Sequence, residues 1–455
     1  MWKFLSLLTL LTALVVYNIK PPSILPAPSK CSTTPSLNTP YSPPKPVAVN
    51  SDREFDIIVY GATGFTGKLV MEYYAKNFPY LKIASAGRSE KKLKALKEES
   101  NLPFPYFACD SKDLPCLKDM SSKSTVLISL AGPYTLYGAD VVRSAAESGT
   151  HYVDLSGEFF FHRETIDNLN AVAIETGSKI VIAGGFDSVP FDLGSQLVLR
   201  DLDVKPGNTT PELTKIVSIV TEVKGWLSGG TLASMIQGVT EMIMGVVKGE
   251  MDLSYTQDPY ITVPEANECL KIDTEATGWG NFLRYDSLVN DVGIPHFMAY
   301  CNSRVIRRSF YLMRQGRVSY SEGMSVKAMT NAMVWAFKQW LKGEVTLLPK
   351  PGEGPGEGMR REGGFEIKIV GDSPTNSVEY KITGRGDPGY EFTSKIVATV
   401  GICLSEKDCE REPGVGGVMT VGSGLKGKNL REKIVEVQGE GGPLMEFIKV
   451  SSAQK

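Results

Sequence analysis

The sequence predicts an α/β fold, in which a doubly wound parallel sheet with helices on both faces is followed by a second α+β domain. Three observations support this prediction. Short apolar runs alternate with helix-length segments over residues 53–195, one such run ends in closely spaced glycines, and the alternation changes beyond Gln196. Strands that alternate with helices of this length form parallel sheets through right-handed crossovers. Ligands of such sheets bind in a crevice at the carboxyl ends of the strands.

The first βα unit carries the most specific pattern. An apolar run at residues 57–60 leads into Gly61, Gly64 and Gly67 and then into a helical segment. In dinucleotide sites, the first glycine permits a tight turn, the second lets the pyrophosphate approach the main chain, and the third lets the helix lie close to its strand. Free N–H groups at the helix start attract the phosphates. The pattern predicts a Rossmann-type sheet with cofactor contacts from Gly61, Ala62, Thr63, Gly64, Phe65, Thr66 and Gly67.

The end of the second predicted strand indicates which dinucleotide binds. NAD sites place a carboxylate there for the ribose 2′-hydroxyl, whereas this chain has Arg88 and Ser89, followed by Lys91 and Lys92. Arginine offers a permanently charged, bidentate donor set that suits a 2′-phosphate. The sequence therefore predicts NADP(H), with Arg88 and Ser89 as contacts. For the two lysines the alternative is the solvated face of a helix that Ser89 caps.

Two later loops are expected at the same crevice. They follow predicted strands at residues 125–130 and 179–183, and further strands are predicted at 106–109 and 151–155, with helices at 139–148 and 161–176. Gly132 and Pro133 are predicted to contact the cofactor. The candidate catalytic residues, as proton donors or as contacts to a developing oxyanion, are Tyr134, Tyr137 and Ser188.

Each catalytic candidate has a structural alternative. A tyrosine after Gly-Pro can simply pack the turn, and Asp187 and Ser188 can cap the helix that begins near Pro190. Asp154 and Glu158 either orient a substrate or bond to main-chain amides.

The second domain is predicted over residues 196–385, and a C-terminal segment, 386–455, is expected to return to the first domain. Strands are expected at 215–223, 365–370 and 378–383, and a helix at 394–404. A Met-rich helix at 233–247 is predicted to line the core or a substrate pocket, with an amphipathic surface helix as the alternative. The glycine-rich stretch 349–364 is predicted to be a flexible loop that serves as a lid.

Composition excludes several functional classes. A net charge of −2 without a basic stripe argues against nucleic-acid binding. The seven cysteines contain no Cys-x-x-Cys motif, so neither a disulfide framework nor a zinc site is expected, and a reducing compartment is predicted for the catalytic body. The three histidines, His151, His162 and His296, have no ligand spacing and are read as strand or surface residues, so no metal is predicted.

The N-terminus differs from the rest of the chain. Residues 4–17 contain only three polar side chains, Ser6, Thr9 and Thr12, and Lys3 and Lys20 flank the stretch. We predict that residues 1–20 form a membrane anchor, although the stretch also fits a secretory signal. Residues 21–52 form a proline-rich linker.

Several motifs together resemble the saccharopine dehydrogenase-like oxidoreductases, and within them the trans-acting enoyl reductase branch. They include the glycine turn at 60–67, Tyr-Val-Asp-Leu-Ser-Gly-Glu at 152–158, Gly-Phe-Asp-Ser-Val-Pro at 185–190 and Gly-Asp-Pro-Gly-Tyr at 386–390. The resemblance implies a Rossmann domain, a second substrate domain and a lipid context, including glycolipid synthesis. It also implies association with the endoplasmic reticulum membrane or a lipid droplet surface.

The leading hypothesis is a membrane-associated NADP(H)-dependent oxidoreductase that acts on a lipid-type enoyl or carbonyl substrate. The catalytic body is expected in the cytosol, with a secretory or organellar lumen as the alternative, and a homodimer is left open. A catalytically silent, lipid-associated nucleotide-binding or scaffold protein remains the rival. A true amino-acid dehydrogenase would need an arginine cluster for a dicarboxylate. The dense group of Arg304, Arg307 and Arg308 is instead interpreted as a solvated or phosphate-binding helix face.

Overall fold

Two seven-stranded sheets organise the chain in a computed structural model. The structure describes residues 53–99, 104–204, 213–226, 228–248, 258–264, 283–296, 298–315, 317–346, 349–350, 352–405, 416–425, 427–436, 438–439 and 442–454. The predicted anchor and linker lie outside these residues. Within them, no helix is both long enough and apolar enough to cross a membrane.

The first sheet is parallel throughout, and its strand order is β3-β2-β1-β4-β5-β6-β13. Its strands are β1 Phe55–Tyr60, β2 Ile83–Gly87, β3 Tyr106–Ala108, β4 Ser124–Ser129, β5 His151–Asp154, β6 Lys179–Val181 and, from far along the chain, β13 Gly417–Met419. The order reverses at β1, which pairs with β2 on one side and β4 on the other. This is the switch point at which a Rossmann sheet binds its dinucleotide.

Helices cover both faces of this sheet because its strands are apolar on both sides. In β1, Ile58 and Tyr60 belong to one core, and Ile57 and Val59 belong to the other. The helices of this region are α1 Phe65–Asn77, α2 Glu90–Glu99, α3 Leu114–Ser122, α4 Tyr134–Tyr137, α5 Ala139–Glu147 and α6 Phe159–Thr176. The predicted βα alternation is confirmed.

The second sheet is mixed, and its order is β16-β12-β11-β7-β10-β9-β8. The strands are β7 Thr214–Lys224, β8 Arg284–Asp286, β9 Asp291–Pro295, β10 Val318–Ser325, β11 Gly364–Asp372, β12 Asn376–Arg385 and β16 Met445–Gln454. Its helices are α7 Val189–Asp201, α8 Gly229–Lys248, α9 Ala299–Leu312, α10 Val326–Leu341 and α11 Glu357–Glu362. Strands β7 and β10 pair in parallel, and the other described pairs are antiparallel.

The predicted C-terminal segment divides between the two sheets. It contains a π-helix Pro388–Phe392, α12 Thr393–Ser405, α13 Val421–Gly424, α14 Gly427–Glu436 and a small hairpin of β14 Gln438–Gly439 and β15 Gly442–Pro443. Helix α12 packs on α1 and β4, and β13 extends the first sheet, whereas β16 pairs with β12 of the second.

Helix α7 crosses the predicted domain boundary and packs on the second sheet. A β-carbon at Gly194 would lie 2.5 Å from the Cδ1 atoms of both Ile369 and Ile382, so the helix approaches that sheet as closely as glycine allows. The buried residues of β1, α7, β11 and α12 form one continuous core. The two sheets are therefore fixed to each other through their interiors.

Two expectations require correction. Cys109 and Cys116 form a disulfide between the end of β3 and α3, so the expectation of unpaired cysteines is wrong for this pair. Their separation of seven positions matches no diagnostic motif, and only the packing of β3 against α3 brings the thiols together. The stretch predicted as a flexible loop at 349–364 contains α11, and its Gly354 packs against Phe65.

Candidate active site

The glycine turn after β1 has the geometry that the spacing predicts. Gly61 adopts a positive φ of 85°, in the left-handed region that favours glycine. A β-carbon at Gly67 would lie 2.7 Å from the Cα of Ala62 and closer still to the Gly61 carbonyl oxygen. Helix α1 therefore rests directly on the turn, and residue 67 has no room for a side chain.

The start of α1 presents main-chain donors to the crevice. Gly64 precedes the helix, and no side chain caps it. Within the described chain, the N–H groups of Thr63, Phe65 and Thr66 donate to no carbonyl outside the helix, and these residues are partly exposed. Unsatisfied donors at a helix start are what a pyrophosphate requires. The residues present fit the phosphates of a dinucleotide.

Arg88 lies exposed at the end of β2, where the ribose of the adenosine half is expected. Its guanidinium lies 5.6 Å from the ring centroid of Tyr137, and it forms no ion pair with a described residue. A β-carbon at the neighbouring Gly87 would meet open space. Arg88 and Gly87 thus provide a charged donor and room beside it, as a 2′-phosphate needs.

Ser89 also has the capping role that was its alternative. Its Oγ accepts a hydrogen bond from the Lys92 N–H at 3.4 Å at the start of α2. Lys91 and Lys92 are both exposed. This geometry favours a solvated helix face for the two lysines, and Arg88 stays the predicted contact for a 2′-phosphate.

We expect Arg88→Ala to raise the Kd for NADPH about 10–100-fold, because a charge-assisted contact to the 2′-phosphate is lost. NADH lacks that phosphate, so its Kd should change little. Fluorescence titration of both cofactors measures the difference. Lys97→Ala serves as the control, because it removes an exposed positive charge from α2, the helix that begins two residues after Arg88. Equal weakening of NADPH and NADH would contradict the assignment of Arg88.

Parts of the second domain and of the C-terminal segment pack against the loops after β1 and β4. A β-carbon at Gly132 would lie 3.1 Å from the Ser234 hydroxyl of α8. The Phe65 ring packs edge-on against the Tyr390 ring, with the two ring centroids 5.1 Å apart. The Arg360 guanidinium lies 5.6 Å from the centroid of the Phe65 ring. The crevice is thus bounded by the first sheet on one side and by the second domain on the other.

Tyr134 occupies a packing position. It is buried, its hydroxyl donates to the Ser129 carbonyl at 3.0 Å and accepts from the Leu155 N–H at 3.1 Å, and its ring lies 5.7 Å from Phe161. Burial raises its pKa well above the usual value. These contacts support the packing alternative over proton donation. Tyr137 lies beside Arg88, at the adenosine end of the crevice and away from the expected reaction centre.

Two carboxylates of the Tyr-Val-Asp-Leu-Ser-Gly-Glu motif bond to main-chain amides. Asp154 accepts from the N–H groups of Ser156 and Ala183, each at 3.0 Å. Glu158 accepts from the N–H groups of Tyr134 and Thr135 at 2.9 and 2.8 Å. The motif therefore fixes the loops after β4, β5 and β6 relative to one another, and its carboxylates hold the main chain rather than a substrate.

Ser188 connects the loop after β6 to a buried polar cluster of the second domain. Its Oγ donates to Asn302 Oδ1 at 3.0 Å, and no side-chain cap is formed at the start of α7. Asn302 Nδ2 donates to Glu322 Oε1 at 2.9 Å, and His296 Nδ1 lies 3.0 Å from the same oxygen. The Tyr320 hydroxyl donates to Glu322 Oε2 at 2.8 Å. Both domains thus contribute to this cluster.

Asp187 is the solvent-accessible member of this region. Its side chain makes no hydrogen bond to a described residue, and it is exposed although its neighbours in the loop are buried. Desolvation by the surrounding protein raises its pKa to about 6, with a smaller upward effect from Glu322 and a downward effect from His296. Asp187 is thus solvent-accessible, while the protein around it still disfavours its charged form.

The position of Asp187 relates it to the cofactor. If Arg88 holds the 2′-phosphate, the adenosine half lies over β2 and the nicotinamide half extends across the switch point toward β4, β5 and β6. Asp187 follows β6 and would then lie on the nicotinamide half. A carboxyl whose pKa is close to the working pH is suited to proton transfer.

Sequence reasoning missed the second-domain part of this cluster. His296 was interpreted as a strand or surface residue, yet it is 7% exposed, and neither Asn302 nor Glu322 was singled out. No local motif surrounds any of the three. The only sequence signal for this cluster was the Gly-Phe-Asp-Ser loop after β6, and this loop marks the first-sheet side of the site alone.

The arginine cluster of α9 is not a solvated helix face, so that alternative of the prediction is wrong. Arg304, Arg307 and Arg308 are all buried. Arg308 Nε donates to the Val418 carbonyl at 3.1 Å, and Arg307 Nη2 donates to the Tyr320 carbonyl at 3.0 Å. Buried guanidinium groups require such partners. They join α9 to β13 and β10.

Comparisons with known proteins agree with this geometry. A family model described as the saccharopine dehydrogenase NADP-binding domain matches residues 57–181. A Mycobacterium tuberculosis H37Rv protein, provisionally named a trans-acting enoyl reductase, is 33% identical over 411 residues, which cover 84% of this chain and 96% of the relative. A trans-acting enoyl reductase of Mycobacterium bovis BCG is 29% identical over 403 residues, or 81% of this chain and 93% of the relative.

Among solved structures, saccharopine dehydrogenase (L-Glu forming) from Saccharomyces cerevisiae matches 87% of this chain and 100% of its own, at 12% identity and a TM-score of 0.46. The family model spans the first parallel sheet from β1 to β6. The curated relatives match well beyond that sheet.

Proposed function

Because the chain belongs to the saccharopine dehydrogenase-like family of NADP-binding oxidoreductases, we propose that it reduces an enoyl or carbonyl group of a lipid-type substrate between its two domains. The observation that carries this proposal is Asp187, an accessible carboxyl on the nicotinamide half of the crevice. The relatives' name, trans-acting enoyl reductase, supports the enoyl group. The apolar stretch at residues 4–17 supports association with a membrane or lipid droplet surface.

The chain's own residues account for binding and for the proton. The turn at residues 61–67 would hold the phosphates and Arg88 the 2′-phosphate, and bound NADPH supplies a hydride. Reduction of an enoyl group places this hydride on the β-carbon and a proton on the α-carbon. The protonated carboxyl of Asp187 donates that proton and becomes a carboxylate, which solvent protonates again.

The buried cluster keeps Asp187 in place. Ser188 is bonded to Asn302, and Asn302 is bonded to Glu322, so the loop after β6 is fastened to α9 and β10. His296 and Glu322 act on the carboxyl of Asp187 through their electrostatic effects on its pKa. In this proposal they are positioning residues, and Asp187 is the residue assigned to the reacting atoms.

The test uses the full chain purified in detergent micelles. NADPH oxidation is followed with trans-2-enoyl thioesters of short and long acyl chains, and in parallel with long-chain ketones and aldehydes. We expect oxidation with at least one long-chain substrate, faster than with its short-chain counterpart and much slower with NADH in place of NADPH. If NADPH binds but no substrate is reduced, the proposal fails and a binding or scaffold protein becomes the better interpretation.

A further inference from the structure

Helix α10 presents its large apolar side chains to solvent. Five of them are exposed: Met333 61%, Val334 50%, Phe337 51%, Trp340 40% and Leu341 66%. Positions 333, 334, 337, 340 and 341 follow the i, i+1, i+4, i+7, i+8 spacing of a single helix face. We call these five residues the α10 apolar face. Together they expose on the order of 500 Å², the size of patch that marks interaction sites on soluble proteins.

The other side of α10 packs on the second sheet. Ala328, Ala336 and Gln339 are buried there, and the helix contacts β7, β10 and β9. A helix that only completes a core would carry polar residues on its outward face. The arrangement indicates that the outward side chains bind something beyond the described chain.

The charges on α10 indicate the nature of this partner. Lys327, Lys338 and Lys342 are exposed along one edge of the apolar face, and residues 326–342 contain no acidic side chain. Lys342 lies 3.5 Å from Glu362, and both side chains are more than half exposed, so this pair offsets little of the positive charge. Large apolar residues bordered by lysines suit an anionic lipid surface. A second copy of this chain would present the same lysines, so no opposite charge would face the lysines of α10.

The predicted linker leaves the orientation of the body open. Residues 21–52, which lie outside the described chain, would span at most about 100 Å as a proline-rich segment, more than the width of the folded body. An N-terminal anchor alone therefore brings the body near a membrane without selecting the face that meets it.

We propose that the α10 apolar face lies on an anionic phospholipid surface and sets the orientation of the body there. The inference goes beyond the proposed function, which invokes only the N-terminal stretch for membrane association. Helix α10 begins directly after β10, the strand that carries Glu322.

The test uses the full chain and distinguishes membrane binding through α10 from insertion of the N-terminal stretch. Leu8→Asp and Leu11→Asp together place two charges in the apolar N-terminal stretch and prevent its insertion. This protein is mixed with phosphatidylcholine vesicles with or without phosphatidylserine, and co-sedimentation is measured. We expect residual binding that requires phosphatidylserine, falls as salt is raised, and drops more than tenfold when Phe337→Gln and Leu341→Gln are added.

The matched control is Ile448→Gln with Val450→Gln, which removes two similarly exposed apolar side chains from β16. It should leave vesicle binding unchanged, and NADPH binding should be unaltered in every variant. Residual binding that Phe337→Gln and Leu341→Gln leave intact, or no residual binding at all, overturns the proposal. A dimer seen by light scattering and abolished by the α10 changes also overturns it. NADPH oxidation in micelles is scored separately, so none of these outcomes bears on the proposed reduction.

Discussion

Asp187→Asn is expected to lower kcat for substrate reduction by about 10²–10⁴-fold, the range typical for loss of a general acid. NADPH binding should stay within about threefold of wild type, because Asp187 lies on the nicotinamide half and away from the phosphate-binding turn. The full-length variant is assayed with saturating NADPH and the best substrate found for the wild type. Asp110→Asn removes an exposed carboxylate on the adenosine half and should leave kcat unchanged.

The pH profile separates a proton donor from a residue that merely supports the loop. A carboxyl with a pKa of about 6 is mostly protonated below this pH and mostly ionised above it. Above pH 6, kcat of the wild type should therefore fall about tenfold per pH unit, and Asp187→Asn should lose this dependence. His296 lowers the pKa of Asp187, so His296→Gln should move the fall toward higher pH. An unchanged profile in Asp187→Asn would show that another group supplies the proton.

Gly67→Ala is expected to weaken NADPH binding by more than 100-fold and to lower the free energy of unfolding by about 1–3 kcal/mol. The added β-carbon would overlap the Ala62 Cα and the Gly61 carbonyl oxygen. Main-chain atoms have no rotamer to change, so α1 must move away from β1. The phosphate donors at its start move with it. Cofactor titration and denaturant unfolding of the full chain measure the two effects.

Two neighbouring glycines provide the controls. A β-carbon at Gly64 would lie 3.2 Å from the Gly61 carbonyl oxygen, which a small shift relieves. Gly64→Ala should therefore weaken NADPH binding through contact with the pyrophosphate but change stability little. Gly87→Ala adds a methyl group in open space and should leave stability unchanged. Wild-type cofactor affinity in Gly67→Ala would refute the assigned packing of helix against turn.

The cofactor turn could be predicted because its geometry is local. Gly61, Gly64 and Gly67 act within one strand, turn and helix, where sequence spacing fixes spatial spacing. The same holds for Arg88, since β2 pairs directly with β1. The predicted strands and helices of the first sheet were recovered for the same reason.

The second-domain side of the candidate site depends on contacts between residues far apart in the sequence, which the spacing of residues along the chain does not predict. Ser188 and Asn302 are 114 positions apart, and the carbonyl that holds Arg308 is 110 positions away. Three arginines within five residues are typical of a surface, whereas Arg308 is buried because the distant carbonyls of Val418 and Thr262 accept hydrogen bonds from its guanidinium. For Tyr134 the sequence leaves two alternatives open, because a tyrosine that packs a turn and one that donates a proton stand in the same sequence context.

The last strand of the first sheet has a consequence for how the protein is made. Strand β13 is translated only after β7 to β12, so the β6 edge stays unpaired while most of the second sheet leaves the ribosome. At ordinary elongation rates this interval lasts roughly ten to fifty seconds. Unpaired edges are templates for aggregation. Biosynthesis of this chain should therefore depend on chaperones that shield the nascent nucleotide domain until its C-terminal strand arrives.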